Sequence, residues 1–396
     1  MQDKINLKEL CLKIGSGATP RGGNESYKES GITLIRSQNV LDFSFSPEGL
    51  AFIDELQAGQ LDNVSVQSND VLINITGDSV ARVCIVPDEY LPARVNQHVA
   101  IVRVNPQKAD SHYIFYFLQY MKEYLLSLAS AGATRNALTK KMLEDLIVEI
   151  PPLPEQRAIA ATLSCLDDKI ELNNRINKTL EEMAQAIFKS WFVDFEPWGG
   201  VMPEDWKEGN LLDIADYLNG LAMQKFRPAD DEIGIPVLKI KELRQGNCDS
   251  SSELCSPNIK PEYIIRDGDV IFSWSGSLLV DFWCGGDCGL NQHLFKVTSQ
   301  KYAKWFYYLW TFYHLDNFIA IAADKATTMG HIKRENLEQS IVFIPNEKNY
   351  DKLDKLLSPI YERIISNRVE TRKLAEIRDA LLPKLMSGEI SIDIEV

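Results

Sequence analysis

The chain has no apolar run approaching the roughly 20 residues that span a bilayer, and Met1 to Lys13 lacks the charged-then-apolar pattern of a secretory leader. Membrane and export roles are not expected, and a cytoplasmic setting is. Histidine is scarce: His98, His112, His293, His314 and His331 lie far apart and form no cluster with carboxylates. The 7 cysteines are odd in number and follow no framework, which fits reduced thiols. Cys284 and Cys288 flank a Gly-Gly-Asp turn without the second pair or nearby histidine that zinc needs, so no metal is expected. There is no Gly-x-x-x-x-Gly-Lys-Ser/Thr phosphate loop, no Asn-Pro-Pro or Asp-Pro-Pro tetrapeptide of amino-methyltransferases, and no Pro-Asp with a downstream Glu-x-Lys. Gly15-Ser16-Gly17 is too short for a phosphate cradle and reads as a turn. Catalysis by this chain is therefore not expected, and neither is a cofactor of its own. Positive charge is short as well. With 42 Lys and Arg against 56 Asp and Glu the net charge is −14, which argues against wrapping nucleic acid unaided. Binding to DNA would require local basic patches or a partner that supplies most of the positive surface.

What the chain does have is repetition. At 396 residues and 45% hydrophobic it has material for more than one core. Ile159, Leu163, Leu166, Ile170, Asn173, Leu180, Met183 and Ile187 reappear about 194 positions later as Leu353, Leu357, Ile360, Ile364, Asn367, Leu374, Ile377 and Leu381. Upstream of each run, Gly31-Ile32-Thr33-Leu34-Ile35-Arg36 is answered by Gly234-Ile235-Pro236-Val237-Leu238-Lys239. Asp70-Val71-Leu72 is answered by Asp269-Val270-Ile271, and Asn96-Gln97-His98 by Asn291-Gln292-His293. The offset drifts in these upstream segments, so the scaffold is shared while the loops differ, and differing loops are where two different ligands would be read.

Residues 1–150 read as a mixed α/β domain. Strands are expected at Thr33 to Ile35, Val71 to Ile75, Val83 to Val86 and His98 to Val104, and a helix from Tyr113 to Leu128. Pro151-Pro152-Leu153-Pro154-Glu155 is a helix start. From there to Phe192 no proline or glycine intervenes after Pro154, so a helix of about 38 residues and about 57 Å is expected. Its apolar stripe contains Asn173, as in a coiled-coil seam with a polar register-setter, and the second copy, with Asn367, is the simplest partner. A helical hairpin or linker without a spacing role is the alternative. The expected division is 1–150, 151–198, 199–345 and 346–396.

The run Pro151-Pro152-Leu153-Pro154-Glu155-Gln156-Arg157, together with Leu166-Asp167-Asp168-Lys169-Ile170, Ser190-Trp191-Phe192-Val193-Asp194-Phe195 and Leu381-Leu382-Pro383-Lys384-Leu385-Met386-Ser387-Gly388-Glu389-Ile390, resembles the DNA specificity subunit of type I restriction-modification systems. The likeness spans the whole chain and is strongest in the helical regions. One departure is that Pro203-Glu204-Asp205-Trp206 opens the second domain with no counterpart at Met1. The resemblance implies an α/β fold with two target recognition domains separated by two long antiparallel coiled-coil helices, related by an internal pseudo-twofold repeat. It implies a non-catalytic adaptor that reads a split double-stranded DNA target. Its partners would be two modification subunits using S-adenosylmethionine and restriction subunits using ATP and Mg2+. An orphan or regulatory adaptor of the same architecture is the alternative, and an enzyme with an unrecognised site is a third reading.

Base edges are read by Arg, Lys, Asn and Gln on loops that face the major groove. Arg36, Ser37, Gln38 and Asn39 have that chemistry, as do Lys239 and Lys241 in the second copy, with a solvated strand end as the other reading. Thr19 and Arg21, and Gln224, Lys225 and Arg227, sit in two Gly-adjacent loops and are similar candidates or ordinary turns. Thr134, Arg135 and Asn136 with Lys140 and Lys141, and Thr327, Thr328 and His331 with Lys333 and Arg334, pair a polar loop with basic residues. They suit DNA contact or helix capping. The Asn-Gln-His triplet is identical in both copies and is expected to hold backbone or meet phosphate, not to specify bases. Phe188, Trp191 and Phe192 are expected either to pack in the core or, with Leu381 and Leu385, to form a docking surface for a modification subunit.

Overall fold

The computed structural model describes residues 3–22, 26–130, 136–324 and 331–392. The chain forms two compact units, Met1–Asp168 with Ala375–Val396, and Lys169–Leu374.

Unit 1 contains strands β1 (Asp3–Asn6), β2 (Cys11–Ser16), β3 (Ile32–Ile35), β4 (Ala51–Ile53), β5 (Ser65–Val66), β6 (Val71–Asn74), β7 (Val83–Ile85), β8 (Ala93–Val95), β9 (Val99–Val104) and β10 (Ile147–Ile150). Helices α1 (Leu7–Leu10), α2 (Glu55–Gln60), α3 (Ser111–Tyr120), α4 (Lys122–Ser130) and α5 (Lys140–Glu144) lie between them, and α6 (Leu153–Phe188) follows. The strands make two four-stranded sheets, β2-β9-β6-β7 and β4-β3-β8-β5, and a β1-β10 pair. All pairings are antiparallel except β3 with β8. The apolar run of strand β6 is buried on both faces. Val71 and Ile73 enter the core beneath α3, while Leu72 enters the core against the other sheet, the alternation that a pleated strand imposes.

Unit 2 repeats this plan. Its strands are β11 (Lys207–Asn210), β12 (Asp216–Asn219), β13 (Ile235–Leu238), β14 (Leu254–Cys255), β15 (Ile264–Ile265), β16 (Val270–Ser273), β17 (Leu279–Phe282), β18 (Cys288–Leu290), β19 (Leu294–Thr298) and β20 (Ile341–Ile344). Their orders are β12-β19-β16-β17, β14-β13-β18-β15 and β11-β20, and again only β13-β18 is parallel. Helices α7 (Leu211–Ile214), α8 (Ile240–Gln245), α9 (Lys304–Tyr313), α10 (Leu315–Asp324) and α11 (Arg334–Glu338) precede α12 (Glu347–Met386). Val270 and Phe272 of β16 enter one core and Ile271 the other, as in β6. An ion pair recurs too, its carboxylate buried in unit 1 and half-buried in unit 2. Arg103 grips Asp70 at 2.8 and 2.7 Å, and Lys296 meets Asp269 at 2.7 Å.

The expected strands are present within a residue or so of their expected ends. The expected helix at 113–128 is two helices, α3 and α4, that meet at Met121. The long helix starts at Leu153, as the prolines require, and its 36 residues pass into a π-turn at Lys189–Val193. Phe195 in the left-handed region (φ 49°) then ends it. The second helix, of 40 residues, continues through Pro359 and Pro383, each of which removes one backbone donor.

Gln156 explains part of the proline-rich motif. It is buried; its Nε2 donates to Pro151 O (2.8 Å) and its Oε1 accepts from the Asp110 backbone N–H (2.9 Å), which anchors α6 to the start of α3. At the repeat-equivalent position, Tyr350 accepts from Ala303 N at 2.7 Å and so ties α12 to the start of α9. Two different side chains do one job.

Within unit 2, α6 and α12 run antiparallel. Asn173 donates to Glu370 (2.8 Å), Asn367 donates to Asn177 (2.8 Å), and Trp191 lies under Lys352 (4.9 Å). Asn173 and Asn367 do not face each other. Each finds a different mate on the opposite helix. Asn173, Asn177 and Asn367 are all buried, and such groups cost stability while fixing register. In unit 1, Asp167 of α6 accepts from Arg378 of α12 (2.7 Å) and from Tyr116 of α3 (2.6 Å). No helix among the described residues is long and apolar enough to cross a membrane.

Candidate nucleic-acid interface

Four segments converge at one end of the sheets in each unit. The first is the loop after β2 or β12. It begins at Gly17 or Gly220, where a Cβ would lie 2.1 Å from Val95 O or 2.2 Å from Asn291 O; only glycine permits so close an approach. Backbone bonds seal it: Ala18 N to Val95 O (3.0 Å) and Leu221 N to Leu290 O (2.9 Å). The second is the turn after β3 or β13, joined to the third by Asn96 N to Ile35 O (3.0 Å) and Asn291 N to Leu238 O (3.2 Å). The third is the Asn-Gln-His triplet. Its asparagine accepts from the histidine N–H at 3.1 Å (Asn96) and 3.2 Å (Asn291). His98 Nδ1 meets Thr76 at 2.6 Å, and His293 Nδ1 meets Ser275 at 3.0 Å. The fourth segment pairs with that hydroxyl residue through bridges from Ala137 to Thr76 and from His331 to Ser275.

The triplet thus spends its Asn and His on the turn itself. Its glutamine is held less: Gln97 is exposed, with its Nε2 3.1 Å from His98 Nε2, and the Oε1 of Gln292 has no hydrogen-bond partner among the described residues.

In unit 2 the first three of these segments line a cleft of about 560 Å³. Gln224, Arg227, Lys239 and Lys241 line it together with Gln292 and His293. Lys225 is exposed beside Gln224. Glu253, which the sequence did not single out, stands among them. It takes Lys239 at 2.6 Å and Arg227 at 3.3 Å, and the hydrogen bond from Lys239 and the two cationic charges hold its carboxyl below the usual range. Lys241 reaches Ser251 (2.8 Å) and Asp249 (3.5 Å).

In unit 1 the corresponding turn carries Arg36, whose guanidinium donates to the Gly49 carbonyl and lies over the Tyr27 ring at 5.5 Å. Gln38 is exposed and donates to the same carbonyl at 3.2 Å. Ser37 is half-buried, and its carbonyl accepts from Asn74 (2.8 Å). Asn39 is buried; it accepts from Arg36 N and donates to Ser46 O and Glu48 O, each at 3.0 Å. Asn39 therefore shapes the turn and does not offer its amide to a ligand. Glu242, its counterpart, likewise accepts from Lys239 N at 3.2 Å. Thr19 is half-buried and Arg21 exposed on the glycine loop.

Thr134, Arg135, Thr327 and Thr328 lie outside the described residues. Asn136 is exposed, and its carbonyl accepts from Gly77 N (3.2 Å). His331 is half-buried against Trp274, with ring centres 6.1 Å apart. Lys140 pairs with Glu144 at 3.4 Å. Lys141 lines a separate cleft of about 520 Å³ with Tyr124, Met142 and Ile147, which none of the other candidates lines. Lys333 and Arg334 are exposed at the start of α11, where Asn336 accepts from Lys333 N (3.0 Å).

The docking surface expected at Phe188, Phe192 and Leu385 needs correction. Phe188 and Phe192 are buried in the unit 2 core, with ring centres 5.0 and 5.6 Å from Trp310, and Leu385 is buried in unit 1. Aromatic spacing on a helix looks the same for a core and for an interface, and here the domain's own helix α9 fills it. Trp191 and Leu381 are half-buried. Cys284 and Cys288 are buried, burial pushing the Cys284 thiol up to about 11. No group of three or more His, Cys, Asp or Glu among the described residues is placed to hold a metal.

The model of the type I restriction modification DNA specificity domain matches this chain twice, at residues 3–182 and 203–377. The chain belongs to that family. It is a specificity subunit, the non-catalytic DNA-recognition component of a type I system, with two target recognition domains. Among its relatives, the MjaIX specificity subunit of Methanocaldococcus jannaschii is 29% identical over 72% of this chain and 70% of its own length. The HindI specificity subunit of Haemophilus influenzae is 20% identical over 91% of this chain and 94% of its own. The solved type I restriction-modification S subunit from M. genitalium covers 100% of this chain and 97% of its own, with a TM-score of 0.61 at 16% identity, and shares the fold.

Proposed function

We propose that each unit reads one half of a split double-stranded DNA target through its four-segment loop cluster. The bodies 1–150 and 199–345 would be the readers, and 151–198 and 346–396 the spacers that set the gap. The observation that carries this reading is that one ten-strand plan occurs twice with the same strand order, while the side chains of the glycine loop and of the turn after β3 or β13 differ. A stiff spacer suits DNA, where readers on one face of the duplex are separated by about 34 Å or a multiple of it. Exposed Arg21, Gln38, Asn136, Gln224, Lys225, Arg227 and Lys241, with Arg36 and Lys239, are the contacts we assign to bases and phosphates. Lys140, Lys141, Lys333 and Arg334 are assigned to phosphate. Two modification subunits that use S-adenosylmethionine, and restriction subunits that use ATP and Mg2+, would carry out adenine methylation and cleavage in the cytoplasm.

Mapping methylated adenines across the native genome with and without the gene tests this. Deletion is expected to abolish methylation at one split motif. An unchanged map would sink the reading.

A further inference from the structure

The unit 2 cleft contains a group that a DNA reader should avoid. A carboxylate facing phosphates costs affinity by like-charge repulsion, yet Glu253 lines the cleft. Its backbone is fixed to the sheet, since Val237 N donates to Glu253 O at 2.7 Å. Its two oxygens go to two cations from separate segments, Oε1 to Lys239 and Oε2 to Arg227. Without the carboxylate those cations would repel each other and disperse. With it they are held side by side, and each keeps unused donors, because an ammonium has three N–H groups and a guanidinium five. Two adjacent donors match the paired O6 and N7 acceptors that guanine presents in the major groove.

We propose, resting on the half-site reading above, that Glu253 is a positioning residue. It holds Lys239 and Arg227 as a donor pair for guanine in the half-site read by unit 2. Unit 1 achieves the holding without charge, through the Gly49 carbonyl on Arg36.

The test uses the full-length chain co-expressed with its methyltransferase partner. Methylated motifs are mapped for the wild type, Glu253→Gln and Arg36→Ala, and equilibrium binding to the cognate site is measured across a salt series. Arg36→Ala shows which half of the motif belongs to unit 1. In the other half the wild type is expected to require at least one G·C pair. Glu253→Gln, nearly isosteric and at an exposed position, is expected to relax that pair alone by about tenfold. It should also steepen the log–log salt dependence by about 0.9 for each phosphate that a freed cation reaches. Because a merely structural role would not steepen the salt dependence, that slope separates positioning from folding, and a thermal melt checks the fold directly. The proposal is overturned by a unit 2 half-site made only of A·T pairs, by undiminished discrimination in Glu253→Gln, or by equal loss at both halves. A wild type that directs no split motif removes the half-site reading itself, an outcome distinct from these three.

Discussion

The two units carry the same sheets in the same order, yet they hold their leading cation differently. Arg36 leans on a neutral peptide carbonyl, whereas Lys239 shares a carboxylate with Arg227. The turn beneath is built alike in both, by an N3 side chain that accepts from the first backbone N–H. Such a fold lets the loop chemistry change while the backbone that aims it stays put. What differs between the units is charge and hydrogen-bond pattern; what is shared is the glycine approach, the Asn-His turn and the acid–base pair.

The comparison is broken most severely by removing a core residue from one unit. Phe192→Ala is expected to destabilise unit 2 by about 3–5 kcal/mol. Unit 1 should be left unchanged, so denaturant unfolding would show two separated steps; a uniform shift of both would show that the units do not fold independently. Next is the repeated ion pair. Asp70 is 1% exposed and its counterpart Asp269 19%. Asp70→Ala should therefore cost about 3 kcal/mol and Asp269→Ala about 1 kcal/mol because solvent screens it, a ranking that hydrogen exchange of β6 and β16 would read.

At the interface, Arg36→Ala is expected to weaken the unit 1 half-site by about 1–3 kcal/mol while the other half is untouched. Competition binding with singly altered half-sites measures this, and an unchanged isotherm removes Arg36 from the contact surface. The smallest effect concerns pH. Burial works against ionisation of Asp267, but the hydrogen bonds from Arg372 and Gly286 N–H prevail and hold its carboxyl below 3.8. A carboxyl lowered on folding contributes stability above its unfolded value and loses it as pH falls through the folded one. Asp267→Asn should therefore flatten the acid side of the unit 2 stability curve below about pH 4 and leave the unit 1 curve alone.

Much of this was legible in the residues. Alternating and continuous apolar runs located the main strands, prolines located the start of α6, and the repeat located the second unit. The candidate site was legible in part: Gln224, Arg227, Lys239 and Lys241 do share a cleft. Asn39 was misleading because an exposed reader and a buried turn-former have the same amide. Glu253 was invisible because its importance lies in two cations brought to it from other segments. The equivalence of Gln156 and Tyr350 was hidden because the two share only the ability to accept a hydrogen bond.

The sequence by itself determined the duplication, the paired long helices, the α/β character of both units and the family, because each is written in local periodicity or in contiguous motifs. Only the tertiary structure decided that Phe188, Phe192 and Leu385 are interior, that Asn367 meets Asn177 and not Asn173, and that a carboxylate joins the unit 2 basic cluster. The reason is physical: periodicity fixes which face of an element is apolar, whereas burial and pairing depend on which other element arrives to cover it.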